Sequence, residues 1–447
     1  MEKVTFHPQS PTPDSGYTTD EDGRTSAPWA TQRQSLDRES LKSTENVAFS
    51  SLATEIRDNN KTLLISKNTT DICLKRGWPV HENRKQFMSP RMTERLASLR
   101  TDIEELLTRA FKHQPKTLQK VLDDDLPLFN HLWFPDVDDS QYDDLLTVSL
   151  YCTWLFVWDD LTDSSDTSTS TSTSFSLPDD DSDNEDGLLA LATDFERACA
   201  WREKTIDLAR DWIIGHGNND DDVPLPDADI KGSALLFYEF GKRIRQNQNL
   251  SKAQRERIVL ETVRFIKGSE TEQAQRLAGY LPRTVEEYIG VRLCSGAVWP
   301  CFLLLEIFSH TPIPDWIFYS PEMRTIWKDG NFLIVVLNDI LSFKKELATN
   351  SLINIIPVLY FSTGLAWDEV MPAIETSVEA AAERIDKATE KLTEMTRDNP
   401  ELQEAVARFV DGVKVNVTGS IGYSMATKRY SSLSKSLNGN GDLVIQL

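Results

Sequence analysis

Apolar residues recur at intervals of three and four along most of the chain after residue 90, which is the spacing of an amphipathic helix. Residues 145–158 are apolar nearly all round, as expected for a buried helix. The pattern predicts helices over residues 92–111, 145–158, 252–266, 285–308, 331–347 and 371–397. Pro372 suits the first turn of the last of these helices, and Asn399 with Pro400 marks its end and the start of another.

Strand patterns are scarce in this sequence. No sustained alternation of apolar and polar residues appears, and the strand-like run 353–361 is short and isolated. We therefore predict an all-α fold, with one helical domain over residues 86–437.

Polar segments flank and interrupt the helical pattern. Residues 1–85 are rich in Ser, Thr, Pro and Asp and predict a disordered tail, although a short docked element near residues 61–65 stays open. Residues 164–187 and 215–229 predict disordered acidic insert loops, because helical patterning resumes on either side of each. Residues 438–447 predict a C-terminal tail.

The charge balance limits the partners that can be expected. The 70 acidic residues outnumber the 48 basic ones, which gives a net charge of −22. Such a surface repels phosphate backbones, so we expect no nucleic-acid partner. An anionic substrate remains compatible with this charge if cations neutralise it locally.

The cysteines and the apolar segments indicate the compartment. The five cysteines form no CxxC pair and are odd in number, which favours a reducing environment. The first residues have no apolar core of the kind found in a secretory signal. The longest apolar stretch, residues 145–158, is too short to span a bilayer. We expect a cytoplasmic protein without a membrane partner.

The first candidate site is a carboxylate cluster at the end of the apolar helix. Asp163 lies four residues after Asp159 and three after Asp160, so a helix presents these carboxylates on one face. Clustered carboxylates repel each other unless a cation binds, and Mg²⁺ accepts such oxygens together with water and phosphate. The alternative is an acidic helix end that faces water, as we expect of other acidic runs in this chain.

The second candidate site follows a wholly apolar run, residues 332–337. Asn338, Ser342 and Glu346 fall at positions i, i+4 and i+8, so they lie along one side of a helix. An amide oxygen, a hydroxyl and a carboxylate are hard oxygen donors that together suit Mg²⁺. The alternative is a set of capping or exposed polar residues after a buried turn.

Together, the DDxxD motif and the later NDxxSxxxE motif resemble the two metal motifs of class I terpene cyclases, in the form found in fungal sesquiterpene synthases. The likeness covers about residues 90–435. It implies a class I terpenoid synthase α-helical bundle around a central active-site cavity, with three Mg²⁺ ions held between the two motifs. It further implies that Asp159, Asn338 and Arg292 are the catalytic residues.

The same resemblance assigns residues that bind the diphosphate of a substrate. Arg292, 46 residues before Asn338, would sense the diphosphate, and it is followed by the linker Ser295 and the helix break Gly296. Some relatives have an Asp linker where this chain has Ser295. Lys345 and the pair Arg429 and Tyr430 would also bind diphosphate. The residues expected to line the cavity, for which core packing is the alternative, are Phe156, Trp299, Asn331, Val335 and Tyr423.

The activity implied by the resemblance is Mg²⁺-dependent ionisation and cyclisation of farnesyl diphosphate to a sesquiterpene hydrocarbon or alcohol, with release of diphosphate, in secondary metabolism. Geranyl or geranylgeranyl diphosphate is the alternative substrate, and a prenyl-chain elongase is the alternative enzyme. The non-enzyme alternative is an acidic helical interaction protein. The chain is expected to act as a monomer or a homodimer.

Overall fold

The computed structural model describes residues 18–19, 25–26, 49–58, 61–79, 90–134, 137–163, 191–215, 232–309, 311–430 and 436–447; residues 18–19, 25–26, 49–50, 58, 74 and 161–163 are described by backbone alone. The elements up to the middle of the chain are β1 (Thr18–Thr19), β2 (Thr25–Ser26), α1 (Phe49–Asp58), β3 (Thr62–Ile65), α2 (Lys67–Thr70), α3 (Ile72–Lys75), α4 (Pro90–Ala110), α5 (Pro115–Asp123), α6 (Leu126–Trp133), a 3-10 turn (Asp139–Gln141), α7 (Tyr142–Asp163), α8 (Phe195–Ile213) and α9 (Ser233–Gln246). The later elements are α10 (Lys252–Ala278), α11 (Val285–Ser295), α12 (Val298–Leu303), a 3-10 turn (Leu304–Phe308), α13 (Asp315–Phe318), α14 (Pro321–Ala348), α15 (Ile355–Thr363), α16 (Trp367–Thr396), α17 (Pro400–Ala426), a 3-10 turn (Lys428–Tyr430) and β4 (Leu443–Gln446).

Helix α14 lies at the centre of the bundle. Every residue from Asp329 to Leu337 is buried, so this helix is enclosed on all sides, as its apolar sequence requires. It packs against α16 and α17, and also against α11, α12 and α15. The other long apolar helix, α7, packs against α9, α6 and α4. The prediction of an all-α bundle is confirmed at this level of architecture.

One predicted helix is broken in the structure. The pattern over residues 285–308 predicts a single helix, but α11 ends at Ser295 and α12 begins at Val298. Ala297 between them has φ of 56°, in the left-handed region that non-glycine residues rarely adopt. The apolar pattern continues through the break because both pieces are buried, so periodicity alone gives no sign of it. The family resemblance, in contrast, predicts a break at Ser295 and Gly296, which is where the structure has it.

Other elements also differ from the predictions. The strand-like run 353–361 forms helix α15, whose N-terminus is capped when Asn354 accepts a hydrogen bond from the Ile356 N–H. A short run that is apolar all round fits a buried helix as well as a strand. Helix α16 begins at Trp367, so Pro372 lies inside the helix and not in its first turn.

Strand β3 and the C-terminal strand β4 meet in a small antiparallel sheet. Strand β3 pairs with β4, with Leu63 opposite Ile445 and Ile65 opposite Leu443. These four side chains are buried. The folded elements therefore begin earlier than the boundary predicted at residue 85, and the short docked element near residues 61–65 is present. The prediction of a C-terminal tail over residues 438–447 is wrong, because this segment contains β4.

The segment that follows β3 packs along helix α16. Arg76 donates to Asp386 at 2.6 Å and also contacts Glu379, while the Trp78 indole donates to Asp386 at 2.6 Å. The polar composition of this segment did not predict the packing, because only a few apolar residues, such as Trp78, take part in it. The predicted insert loops lie outside the described residues, apart from Gly215.

Among the described helices, none is by itself long and apolar enough to cross a bilayer. One pair of consecutive helical segments, bent by 46° between them, meets the length and composition requirement when taken together: Val285–Ser295 and Val298–Phe308.

Candidate active site

A cavity of about 510 Å³ brings the two predicted metal motifs together. Asp159 and Asp160, near the C-terminal end of α7, line it. Asn338, Ser342 and Glu346, from the second half of α14, line it as well. Asp163 is the last residue of α7, and its side chain lies outside the described residues.

The side chains of Asn338, Ser342 and Glu346 form a stripe along α14, called here the Asn–Ser–Glu stripe. Ser342 Oγ donates to Glu346 Oε1 at 2.6 Å, so these two oxygens already lie next to each other. Among the described residues, no three Asp, Glu, His or Cys side chains converge as a metal site. The stripe offers one carboxylate together with an amide and a hydroxyl, a set of hard oxygen donors that fits Mg²⁺.

The environment of Glu346 favours a neighbouring cation. Burial raises the pKa of its carboxyl to about 7, and the Asp339 carboxylate acts in the same direction, against hydrogen bonds from Ser342 and Asn354. A carboxylate that is buried beside another carboxylate is ionised more readily when a positive ion is close. The site is therefore chemically suited to a divalent cation.

Asp160 on α7 is held by two cations. Arg429 donates to both of its carboxylate oxygens, at 2.6 and 3.1 Å, and Lys120 Nζ lies 3.2 Å from Oδ2. Burial alone would raise the pKa of Asp160, but the charge and hydrogen bonds of Arg429 outweigh it and hold that pKa far below the usual value. Arg429 also donates to Asp124 at 2.9 Å. The carboxylate is thus ionised and its charge is compensated by protein groups.

Arg292 on α11 contacts the second motif directly. Its Nε donates to Asp339 Oδ1 and its NH2 group donates to Asn338 Oδ1, each at 3.1 Å. Asp339 is 1% exposed and also accepts a hydrogen bond from the Tyr288 hydroxyl. Arg292 therefore links helix α11 to a predicted metal ligand.

The helix break predicted at Ser295 and Gly296 lies beside α14. A Cβ atom on Gly296 would come within 2.5 Å of Val335 Cγ1, so only glycine allows this close approach. Ser295 Oγ is buried and makes no hydrogen bond with any described residue. Both residues line the cavity, as does Val335.

At the C-terminal end of the domain, Tyr430 reaches the stripe while Arg429 reaches α7. The Tyr430 hydroxyl accepts a hydrogen bond from Asn338 Nδ2 at 2.9 Å. The 3-10 turn that carries both residues thus connects the two motifs. Lys345 also lines the cavity, near these groups.

An aromatic wall forms another part of the cavity lining. It consists of Phe129, Trp133, Phe156 and Tyr423. The centroid of the Phe129 ring lies 4.8 Å from the ring centroid of Phe156, 5.3 Å from that of Tyr423 and 4.6 Å from that of Trp133. Such faces stabilise a cation by roughly 0.5–2 kcal/mol each. Of this wall, the sequence predicts Phe156 and Tyr423.

The structure places two predicted lining residues elsewhere. The Trp299 indole donates to the carbonyl oxygen of Trp327 and stacks on Arg264, so it lies against neighbouring helices. Asn331 is 0% exposed and donates to the Leu293 carbonyl oxygen at 2.8 Å. Both share a helix with lining residues, and the helical period alone does not tell which turn reaches the cavity.

Several residues of this site were not predicted from the sequence, and three of them contact other site residues directly. Lys120 on α5 contacts Asp160, Phe129 on α6 belongs to the aromatic wall, and Asn354 contacts Glu346 at 2.9 Å. Lys120 and Phe129 lie on helices whose patterns are short, and neither falls in a motif. The one available signal is the position of Asn354, directly before a buried apolar run.

Comparison with known proteins agrees with this geometry. The family described as terpene synthase family 2, C-terminal metal binding, matches residues 150–384. Sesquiterpene cyclase hepA of Aspergillus oryzae is 25% identical over 333 residues, which is 74% of this chain and 81% of that protein. Silphinene synthase peniA of Penicillium patulum is 24% identical over 318 residues, or 70% of this chain and 74% of that protein.

A solved structure shares the fold. Germacradien-4-ol synthase from Streptomyces citricolor aligns with a TM-score of 0.57 and 16% identity, covering 75% of this chain and 94% of that one. The helical bundle and its oxygen-lined cavity define a metal-binding terpene cyclase of class I. The chain belongs to terpene synthase family 2, since the family match covers more than half of it.

The enzyme class follows from this membership. The prediction of a terpene synthase of the fungal sesquiterpene-synthase type is confirmed, and the non-enzyme alternative is set aside. Family membership also supports a divalent metal and a prenyl diphosphate substrate.

Proposed function

We propose that this chain is a sesquiterpene synthase that uses Mg²⁺ to ionise farnesyl diphosphate, closes the farnesyl chain into one or more rings and releases diphosphate. The observation that carries the proposal is the convergence of the Asn–Ser–Glu stripe and the α7 aspartates on one cavity with an aromatic wall. The names of relatives such as sesquiterpene cyclase hepA support a C15 substrate. The product belongs to secondary metabolism.

We assign the metal to the two motifs. The residues that would hold three Mg²⁺ ions are Asp159, Asp160, Asp163, Asn338, Ser342 and Glu346. When bound, Mg²⁺ stabilises the negative charge that develops on the diphosphate as the carbon–oxygen bond breaks. Arg292, which lies against Asn338 and Asp339, would donate to the diphosphate from the α11 side.

The remaining cations have a second task in this proposal. Lys345 and Arg429 would give charge-assisted hydrogen bonds to the diphosphate, and the Tyr430 hydroxyl would add a donor. Arg429 now pairs with Asp160 and Asp124, so it would exchange one of these carboxylates for a phosphate oxygen. No protein nucleophile takes part in ionisation.

The apolar part of the cavity would then guide the carbocation. Phe129, Phe156 and Tyr423 present ring faces or edges, while Ile334, Val335 and Leu341 are among the aliphatic lining residues. These groups exclude water and leave the cation to react with its own double bonds. The cavity of about 510 Å³ lies within the usual range for small-molecule sites.

The test is a product analysis with purified protein. Farnesyl diphosphate and Mg²⁺ are incubated with the protein, volatile products are identified by gas chromatography and mass spectrometry, and a chelator-treated sample serves as the blank. A cyclic sesquiterpene that disappears with the chelator is expected. Parallel samples receive isopentenyl diphosphate in addition, or geranyl or geranylgeranyl diphosphate as the substrate. Formation of longer diphosphates with isopentenyl diphosphate and of no cyclic product would identify an elongase, and turnover of only geranyl or geranylgeranyl diphosphate would refute the C15 assignment. Light scattering of the same sample separates a monomer from a homodimer.

A further inference from the structure

The loop after α14 turns back and contacts the middle of that helix. The Ile355 N–H donates to Asp339 Oδ2 at 3.0 Å, and Asn354 Nδ2 donates to the Asp339 carbonyl oxygen at 2.8 Å. Asp339 is itself fixed by Arg292 at 3.1 Å. The start of α15 is therefore held against a buried and well-connected part of α14.

Asn354 uses both ends of its amide in this position. Its Oδ1 accepts from the Ile356 N–H at 2.9 Å, which caps α15. Its Nδ2 donates to Glu346 Oε2 at 2.9 Å in addition to the Asp339 carbonyl oxygen. The side chain is 0% exposed, and because its oxygen and nitrogen have different partners, its orientation is fixed.

Asn354 donates to only one of the two oxygens of the Glu346 carboxylate. Asn354 occupies Oε2, while Oε1 lies 2.6 Å from Ser342 Oγ, which is the other donor of the stripe. We propose that Asn354 is a positioning residue, which turns the Glu346 carboxylate so that Oε1 and Ser342 Oγ face a metal ion together. This inference rests on the proposed function, since it assigns Mg²⁺ to the stripe.

The competing explanation is that Asn354 acts only as a helix cap. Asn399 provides the matched case, because its side chain accepts from the Leu402 N–H at 3.1 Å and caps α17 on the exposed surface. A serine at either position keeps a capping hydroxyl. At position 354 it also loses the amide donor that reaches Glu346, and at position 399 it loses nothing at the site.

The experiment compares Asn354→Ser with Asn399→Ser. Mg²⁺ is titrated calorimetrically into each protein in the presence of inorganic diphosphate, and the Mg²⁺ concentration for half-maximal turnover of farnesyl diphosphate is measured separately. Loss of a group that orients a metal ligand typically weakens metal affinity by about 10–100-fold. We expect a loss of this size for Asn354→Ser and wild-type values for Asn399→Ser.

A second variant keeps the inference testable if the serine variant folds poorly. Asn354→Asp retains the capping oxygen and nearly the same shape but loses the Nδ2 donor. Wild-type Mg²⁺ affinity in this folded variant would overturn the positioning role, whereas a loss at least as large as that of the serine variant would support it. If the wild-type protein shows neither Mg²⁺-dependent diphosphate binding nor turnover, the proposed function fails, and this inference fails with it.

Discussion

Burial, charge and hydrogen bonding act together at Glu346. Its pKa is raised to about 7 and both its oxygens have partners on α14 or the following loop. In the proposed enzyme the negative charge of this residue, more than its shape, holds the metal.

Replacing Glu346 by glutamine separates charge from shape. The amide keeps one oxygen but removes the negative charge, so we expect kcat/KM with farnesyl diphosphate to fall by roughly 100-fold or more, beyond the usual effect of an indirect partner. Glu322→Gln, in the first turn of the same helix, is the control and should behave as wild type. Steady-state kinetics over a range of Mg²⁺ concentrations checks this, and equal kcat/KM values for both variants would remove Glu346 from the metal site.

The aromatic wall leads to a prediction about products. In Phe129→Leu the ring between Phe156 and Tyr423 is lost while apolar volume is largely kept. One cation–π contact of roughly 0.5–2 kcal/mol disappears, which changes the ratio of competing cation pathways by about 2- to 30-fold. Gas chromatography of the products should show more early-terminated or acyclic compounds. Phe361→Leu, on α15 outside the lining, should leave the product ratio unchanged, and an unchanged ratio in Phe129→Leu would exclude the proposed contact.

At this scale, sequence reasoning finds residues that share a helix face. The stripe follows from spacing i, i+4 and i+8, and the family resemblance adds Arg292 and Arg429. Lys120 and Phe129 reach the cavity from separate short helices. The sequence around each residue does not indicate which distant helix it will contact. Their positions depend on packing, which a single sequence does not display.

At the scale of elements, the break between α11 and α12 positions Arg292 and Ser295 at the cavity. The break brings the backbone of Gly296 against Val335 on α14. Two helices can approach this closely only where one of them lacks a side chain.

Gly296→Ala tests the need for this close approach. The added methyl group lies 2.5 Å from Val335 Cγ1, so the helices have to separate, and we expect a destabilisation of about 1–3 kcal/mol with reduced turnover. Urea unfolding and steady-state kinetics measure both effects. Gly290→Ala on the same helix meets nothing within 4 Å and should be neutral or stabilise by up to about 1 kcal/mol. Adding Val335→Ala to Gly296→Ala should restore part of the stability, and no restoration would point to another cause.

Two ranges show where the spacing of apolar residues fails to predict secondary structure. Residues 285–308 are apolar on both sides of the break, and residues 353–361 are apolar all round, so neither range has a period that separates helix, break and strand. Asn354 starts the helix α15 by capping its N-terminus, and Ala297, with its left-handed backbone, separates α11 from α12. The long amphipathic helices, in contrast, were predicted to within a few residues at one end or both.

At the scale of the whole molecule, the pairing of β3 with β4 joins segments almost 400 residues apart in the sequence. Such pairing could not be predicted, because a two-stranded sheet needs both partners and each strand is only four residues long. The composition of residues 1–85 indicates a tail, and the few buried residues of β3 and Trp78 are diluted by polar neighbours. The general architecture was nevertheless predictable, since the metal motifs identify the family and the family determines the bundle.

Ile65→Ala tests whether β3 belongs to the folded body. Ile65 is 1% exposed, so its truncation should lower the free energy of unfolding by about 2–5 kcal/mol. The neighbouring Leu64 is 57% exposed on the other face of the strand, and Leu64→Ala should change stability by no more than about 0.5 kcal/mol. Urea denaturation measures the free energy of unfolding of both variants. A loss in Ile65→Ala as small as the one expected for Leu64→Ala would show that β3 contributes nothing to the fold.

The pairing of Arg429 with Asp160 has a thermodynamic consequence. A metal ion that binds Asp160 competes with this guanidinium, and a phosphate group that binds Arg429 releases the carboxylate. The two ligands then promote each other's binding, and by linkage the factor by which Mg²⁺ tightens diphosphate binding equals the factor by which diphosphate tightens Mg²⁺ binding. Calorimetric titration of each ligand with and without the other measures this reciprocity. In Arg429→Met, where the competition is absent, the common factor should shrink towards one.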